Sequence, residues 1–415
     1  WPDRDTARRL LGAVACQPSD KVVVIHPERG DAARDVFSVD FMQRITLPDL
    51  FVLRPDEFAA VAIDHRRGLL YIGSREGTLL ALDQESGAVV WERIFDAAIS
   101  STPVIVDLPG DGETHEAALL LVGTDNGDLH AVDLETRESR WSYETSGKIR
   151  EAPIVSEGVV YFVNSRDQVF ALELRTGQWR WQYEQEFQAD FTVYGKAGLV
   201  FVPVLDDTLG EPGILLTGFD GGRVVALGAG SGEALWVQSV APPEGGDFID
   251  CDTTPLVDLE RREVIVAGMA TGVYAMSLED GSVRWTYPIR GVGALAWGPG
   301  GEIVGTSSLR GVFALQRDGT HLWRTQVDVG VLSAPVVAFD TVFVTHSESG
   351  LLAFDAPTGR FLAQIRPGSG MSSVPVYDPI SDRFYATTNR GLLLALRIER
   401  SFGPRQPPPP AATLR

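Results

Sequence analysis

The phrase GTLLALDQESGAVVW, residues 77–91, returns in altered form along the whole chain. Copies end at Trp91, Trp141, Trp181, Trp236, Trp285, Trp323 and Ala363, and an eighth, GLLLALRIER, lies near residue 400. Each carries an alanine at the same place: Ala81, Ala131, Ala171, Ala226, Ala275, Ala314, Ala353 and Ala395. Successive alanines are 50, 40, 55, 49, 39, 39 and 42 residues apart. A period of ~40 to 50 residues is that of a four-stranded propeller blade.

Each unit divides into four β-rich runs separated by turn chemistry, as in STPVIVD, ALLLVGT, GDLHAVD and SRWSYE. Glycines such as Gly77, Gly127 and Gly222 stand where a hairpin needs positive φ, and a second set including Gly87, Gly177, Gly232 and Gly281 ends the following turn. A tryptophan four residues later falls at a fixed place on the outermost strand. One large aromatic per blade is read as packing between neighbouring sheets, not as a cofactor ligand. The eighth copy lacks a fourth strand, while DVFSVDFMQRITLPD, residues 35–49, supplies an extra one. The expected fold is therefore all-β: an eight-bladed β-propeller whose N-terminal strand completes the last blade and removes the open edge.

Residues 35–400 are expected to form this single propeller, with an N-terminal arm over residues 1–34 and a proline-rich, disordered tail over residues 401–415. Within the arm, RRLLGAVAC at residues 8–16 resembles the end of a bacterial lipoprotein signal. Cys16 is thus a lipidation candidate, which would make the arm a membrane tether; the alternative is a free thiol. The segment PDRDTARRLLGAVA could form a helical turn or more, and no function is assigned to it.

The balance of 56 acidic against 36 basic residues gives a formal net charge of -20, which repels phosphate backbones and argues against nucleic acid as a partner. The same field attracts a basic protein surface. The two cysteines, Cys16 and Cys251, form neither a disulfide framework nor a metal-binding pair. No stretch approaches the ~18 consecutive apolar residues of a membrane span.

The repeat, with its small residue, acidic residue, threonine or serine before glycine, and tryptophan, resembles that of the pyrroloquinoline-quinone propeller superfamily over nearly the whole chain. Some members are quinone-dependent dehydrogenases, which need calcium and, in many cases, adjacent cysteines against the cofactor. Here the cysteines lie 235 positions apart. The six histidines show neither metal-ligand spacing nor a triad-like motif. Asp107, Asp111 and Glu113 loosely fit a calcium loop, but Pro109 stands where an oxygen ligand is wanted, so a solvated acidic loop is the preferred reading. No catalytic, cofactor or metal residue is assigned, and an enzyme is not expected.

Binding specificity in a propeller resides in the loops that share one face. The longer intervals contain VLDDTLGEPG at residues 204–213 and APPEGGDFIDCDTTP at residues 241–255. In the second, Asp250 and Asp252 with Phe248 and Ile249 suit a basic, partly apolar protein surface: charge steers and orients, and the aromatic supplies buried area. The competing reading has Asp252 hydrogen-bonding the turn before Thr253, Thr254 and Pro255. An exposed loop implies that Asp250→Ala and Asp252→Ala each cost under ~0.5 kcal/mol.

DCDTTP, followed by DGTHLW, LSAPVV, ESGLLAFDAPTGRFLAQ and GMSSVPV, resembles the BamB lipoprotein family of the outer-membrane β-barrel assembly machinery across roughly residues 36–398. The resemblance implies a non-enzymatic periplasmic scaffold, attached to the inner leaflet of the outer membrane by any lipid anchor. Its partner would be the machinery's central barrel protein, bound through that protein's periplasmic domains, with Asp250 and Asp252 in the family's binding motif. An adjacent family loop carries leucines and an arginine; the corresponding YEQEFQADFTVYG, residues 183–195, offers Phe187 and Phe191 instead. A propeller for another cell-envelope partner, and a quinone-dependent dehydrogenase, remain as alternatives.

Overall fold

The computed structural model describes residues 21–25, 35–46, 59–108, 118–184, 197–204, 210–241, 249–328 and 330–402, with side chains described from residue 59 to 398. The described residues contain no helix. Seven four-stranded antiparallel sheets follow one another along the chain as blades one to seven, over residues 62–94, 104–144, 154–184, 200–239, 256–287, 292–325 and 336–365, and blade eight, residues 376–402 with 35–46 and 21–25, has five strands. First strands of several consecutive blades approach each other, which places them at the ring's centre. The blades form the expected eight-bladed propeller.

Closure occurs as the sequence implies. In the last blade, Asp35–Thr46 pairs antiparallel with Leu392–Phe402 from Asp35↔Phe402 to Thr46↔Leu392. Two details differ from expectation. The third strand runs on to Phe402, and Lys21–Ile25, KVVVI, adds a fifth strand outside Asp35–Thr46. Its β-branched run has high strand propensity and here finds an unpaired edge to extend.

Burial explains the repeat. The second and third strands of a blade are covered on both faces and read as unbroken apolar runs, as in Ala118–Gly123, where every residue is buried. Outermost strands instead alternate, and Ser139–Glu144 exposes most residues while burying Trp141. Eight hydrophobic clusters result, and each is shared by two neighbouring blades.

The tryptophans cross these boundaries. Trp141 Nε1 donates to Leu174 O at 2.8 Å, Trp181 to Ala229 O at 3.0 Å, Trp236 to Leu278 O at 3.0 Å and Trp323 to Ala356 O at 2.8 Å, each acceptor lying in the next blade. Within its own blade each tryptophan sits opposite the repeat alanine, as Trp236 does opposite Ala226. The ring then lies against a turn glycine of the next blade: a Cβ on Gly281 would come within 2.6 Å of Trp236. At that glycine φ is +69°, so absence of a side chain serves both the turn and the seat. Blade seven has Ala363 in place of tryptophan, and there Phe343 and Phe384 meet across the boundary with ring centroids 4.6 Å apart.

The seam between last and first blades is also polar. Gln84 Nε2 donates to Tyr385 Oη at 3.1 Å, and Arg383 Nη1 donates to Gln84 O at 3.0 Å. His65 Nε2 lies 3.1 Å from the buried Asp378 carboxylate.

Trp236→Ala should destabilise the fold by about 3 to 5 kcal/mol, the range for removing a buried aromatic. Gly281→Ala should cost roughly 2 kcal/mol from its left-handed backbone and the clash with Trp236. Urea unfolding of the two variants checks both, and a Gly281→Ala midpoint equal to wild type would reject the seat assigned to this glycine.

Candidate functional site

The connection from blade four to blade five carries Ile249, Asp250, Cys251 and Asp252 and ends in Thr253, Thr254 and Pro255. Its Thr-x-Pro end belongs to the propeller repeat. The Thr253 hydroxyl accepts from Ala267 N at 2.8 Å, and Ser101, Ser333 and Ser373 do the same for Gly123, Thr345 and Thr387. Each hydroxyl precedes a proline by two residues. This anchors the entry of a first strand to the second strand of the same blade.

The backbone of Asp250 has a repeated duty as well. Its carbonyl accepts from Met269 N at 2.9 Å, as the carbonyls of Ala98, Lys148 and Gly370 accept from Asp125, Ser165 and Asn389. The carboxylates of Asp250 and Asp252 are therefore what distinguish this copy.

The structure places the two aspartates differently. Asp250 is only 1% exposed and turns inward, with Oδ1 accepting from Gly221 N of blade four at 3.4 Å. Asp252 is half-buried, as is Ile249, and Thr254 is exposed. The expectation that both aspartates stand on an open loop is corrected for Asp250. Burial of Asp250 follows from the tight passage of residues 249–251 over blade four. A Cβ on Gly218 would meet Cys251 O at 2.2 Å, and one on Gly222 would meet Ile249 O at 2.5 Å. Only glycine at both positions lets the segment lie this close. Phe248 and the 183–195 loop from Gln185 onward, with Phe187 and Phe191, lie outside the described residues, as do Cys16, Asp111 and Glu113.

Two further acidic groups adjoin the segment. Asp167, in the blade-three turn, accepts from Asp220 N of blade four at 3.5 Å, and both residues are 5% exposed. Asp167 occupies the position that is glycine in most copies and retains positive φ, +57°. That departure from the repeat was visible in the sequence and marks the residue. From the far side, Thr254 Oγ1 accepts from Gly198 N at 2.9 Å and ties the segment to the connection between blades three and four.

Cys251 is fully buried beneath this segment. Burial, aided by the charge of Asp252, pushes its thiol up to about 12. Among the described residues no group of three or more His, Cys, Asp or Glu side chains could hold a metal. Asp107 lies 3.7 Å from Arg66 and 3.8 Å from Arg67.

The opposite face has a different character. There an open cavity of about 330 Å³ is lined by Trp297, Gly298 and Pro299 of blade six and by Val337 to Asp340 of blade seven. The turn Phe339–Asp340 joins two strands through two residues, both at φ +52°. Such a turn favours Asn-Gly. Phenylalanine there costs ~1 to 2 kcal/mol and is 44% exposed, its ring edge-on to Tyr377 of blade eight with centroids 5.2 Å apart.

Asp250→Ala should destabilise by about 1 to 3 kcal/mol, because the carboxylate is buried and hydrogen-bonded. In a Cys16→Ser background, Cys251 should resist a thiol reagent at pH 8 until urea unfolds the chain, and the further change Asp250→Ala should speed labelling in the native state. An Asp250→Ala variant as stable and as slowly labelled as its parent would mean the carboxylate does not hold this segment.

The sequence matches the family described as outer membrane protein assembly factor BamB over residues 59–108, 110–318 and 310–401. It is 27% identical over 351 residues to the outer membrane protein assembly factor BamB of Vibrio cholerae, covering 83% of this chain and 85% of that one. The crystal structure of BamB from Moraxella catarrhalis shares the fold with a TM-score of 0.68 at 20% identity, over 86% of this chain and 99% of that one. Quinohemoprotein alcohol dehydrogenase from Comamonas testosteroni gives a TM-score of 0.65 at 13% identity, over 91% and 78%. Shared fold at such identities carries no shared chemistry.

Proposed function

The chain belongs to the outer membrane protein assembly factor BamB family, and from that premise we propose that it is a non-enzymatic scaffold subunit of the machinery that assembles β-barrel proteins in the outer membrane. It works in the periplasm, attached to the outer membrane, and binds the periplasmic domains of the central barrel protein. The family match, which takes in every blade, supports this role. The named BamB relative is an assembly factor matched over more than four fifths of both chains, whereas a quinoprotein alcohol dehydrogenase of Pseudomonas putida matches 36% of this chain.

One observation carries the placement of the binding surface: residues 249–254 are held from three sides, by blade four at Gly218 and Gly222, by blade five at Met269 and Ala267, and by Gly198. Binding loops lose less entropy on association when they are already ordered. Within this segment Asp252 supplies the charge that meets a basic surface, Ile249 supplies apolar area, and Asp250 acts from below by fixing the segment's course. Phe248 is assigned the aromatic contact on its sequence position. The net charge of -20 adds long-range attraction for a basic partner.

Lipidation at Cys16 would hold the propeller at the membrane, where an interface of modest affinity suffices because tethering raises local concentration. Acyl-chain analysis by mass spectrometry of the protein from its own membrane addresses this directly.

The purified chain should bind the periplasmic domains of its own organism's barrel protein, and Asp252→Lys should weaken binding by tenfold or more, about 1.4 kcal/mol, while the propeller stays folded. Calorimetric titration measures both affinities. Wild-type affinity in a folded Asp252→Lys protein would remove this carboxylate from the interface. Absence of binding by wild type would transfer the scaffold to a different envelope partner.

A further inference from the structure

We propose that the ring consists of two arcs, blades one to five and blades six to eight, latched to each other by polar and charged groups at two seams, and that it loosens along these seams before any other boundary gives way. The repeat identifies the seams. Three positions after the repeat alanine, six blades carry an apolar residue: Leu134, Leu174, Ala229, Leu278, Ala356 and Ile398. The carbonyls of Leu174, Ala229, Leu278 and Ala356 accept the indole N–H of the preceding blade. In blades one and six the position is Gln84 and Arg317. There the carbonyl accepts from a guanidinium instead, Gln84 O from Arg383 Nη1 of blade eight at 3.0 Å and Arg317 O from Arg261 Nη1 of blade five at 3.2 Å. The exchange is reciprocal. Gln84 Nε2 donates to Asp378 of blade eight at 3.3 Å, and Arg317 Nη1 lies 3.4 Å from the carboxylate of Asp258 in blade five. Both aspartates end the first strand of their blade, and both are buried.

Local sequence explains why these two boundaries differ. Blade eight offers blade one no indole, since Gln43 stands opposite Ala395 where blade four has Trp236 opposite Ala226. In blade six, Ala314 to Trp323 spans nine positions where Ala226 to Trp236 spans ten, so the turn between third and fourth strands is one residue short. Arg317 Nε therefore donates to Gly301 O at 3.1 Å, whereas in blade five the backbone N of Leu278 donates to the corresponding carbonyl, Arg262 O, at 2.9 Å. Trp285 of blade five is left with its indole nitrogen buried and without a hydrogen-bond partner among the described residues. Arg317 compensates by lying over the Trp297 ring, 5.7 Å from a centroid, and by pairing with Glu260 at 3.0 Å.

The two kinds of boundary respond differently to solvent. An indole N–H bonded to a carbonyl inside an apolar boundary carries no net charge, so salt leaves it unchanged. Guanidinium contacts that reach water are screened, over ~10 Å at 0.1 M salt and ~3 Å at 1 M. The Arg317 side chain is 39% exposed and that of Glu260 83%, and at the other seam Arg383 pairs with the exposed Glu85 at 3.1 Å. Opening between blades five and six also gives the Trp285 N–H a water partner that it lacks in the closed ring. Residues 249–254 belong to the larger arc and the cavity beside Trp297 to the smaller, so the seams set how these two parts of the molecule stand to one another.

Leu82, Leu227 and Leu315 follow the repeat alanines of blades one, four and six, are fully buried, and face the boundaries of blade eight with one, three with four and five with six. In the full-length chain with Cys16→Ser, each is replaced in turn by cysteine and labelled in the native state with uncharged iodoacetamide, at about 0.05 M and about 0.5 M NaCl. Cys251, buried in the same molecule, reports global unfolding. Relative to Cys251, Leu82→Cys and Leu315→Cys should label about tenfold faster at the higher salt, and Leu227→Cys should show no such change. Equal salt responses at the three positions would overturn the division into arcs, as would Cys251 labelling as fast as the seam cysteines. Adding Arg317→Met, which keeps an apolar stem over Trp297, should speed labelling of Leu315→Cys about tenfold at low salt and remove its salt response. An unchanged rate and salt response in that folded protein would overturn the latch.

Discussion

The ring depends on a contact that blades two, three, four and six each make with the next. A tryptophan on the outermost strand lies over the repeat alanine of its own sheet, donates its indole N–H to a neighbouring backbone carbonyl, and rests on a glycine of the neighbouring turn. Size, polarity and backbone conformation are all used at once. The alanine must be small for the indole to pass, and the glycine must lack a side chain for the ring to seat. Because the hydrophobic clusters lie between blades, no sheet owns a core, and a blade removed from the ring would lose an apolar wall on both sides. Closure by Asp35–Thr46 follows from the same logic: an open ring would leave two such walls facing water.

A frame built this way leaves its two faces to diverge. On one, residues 249–254 pass so close to blade four that glycine is required beneath them, and an aspartate that reads as an exposed charge becomes an internal strut. On the other, a two-residue turn keeps a phenylalanine where asparagine or glycine would be easier, beside a cavity walled by Trp297. The buried carboxylate of Asp250 and the phenylalanine at 339 are departures from the repeat, whereas the close passage itself recurs, as Ile99 lies against Gly73 and Ile149 against Gly123. Positions shared by the copies answer to the common frame; positions that break the pattern make contacts of their own, as Phe339 does edge-on against Tyr377 of blade eight and Asp167 with Asp220 N of blade four.

Asp167 illustrates the distinction. It stands where most copies have glycine and keeps the left-handed backbone, which an aspartate tolerates better than most side chains. Its carboxylate reaches the blade-four turn beside Asp250, so three buried acidic residues adjoin one connection. Aligning the copies would have singled it out. The inward turn of Asp250 left no such mark, since its main-chain role is common to several connections and its side chain has no counterpart in them.

The repeat spacing, the Ala–Trp pairing and the missing fourth strand in the last copy together determined an eight-bladed ring closed from the N-terminus, because blade period and strand count are local properties written in consecutive residues. The same residues placed the candidate loop between blades four and five. What only the tertiary structure decided is which groups on that loop face solvent, how Asp167 and Asp220 come to adjoin it, and that Phe339 and Trp297 share a cavity. Those facts arise between blades, from residues well separated in the chain: 29 positions divide Gly221 from Asp250 and 53 divide Asp167 from Asp220. Burial of a single carboxylate depends on the surfaces packed around it, and no periodicity in its own segment encodes them.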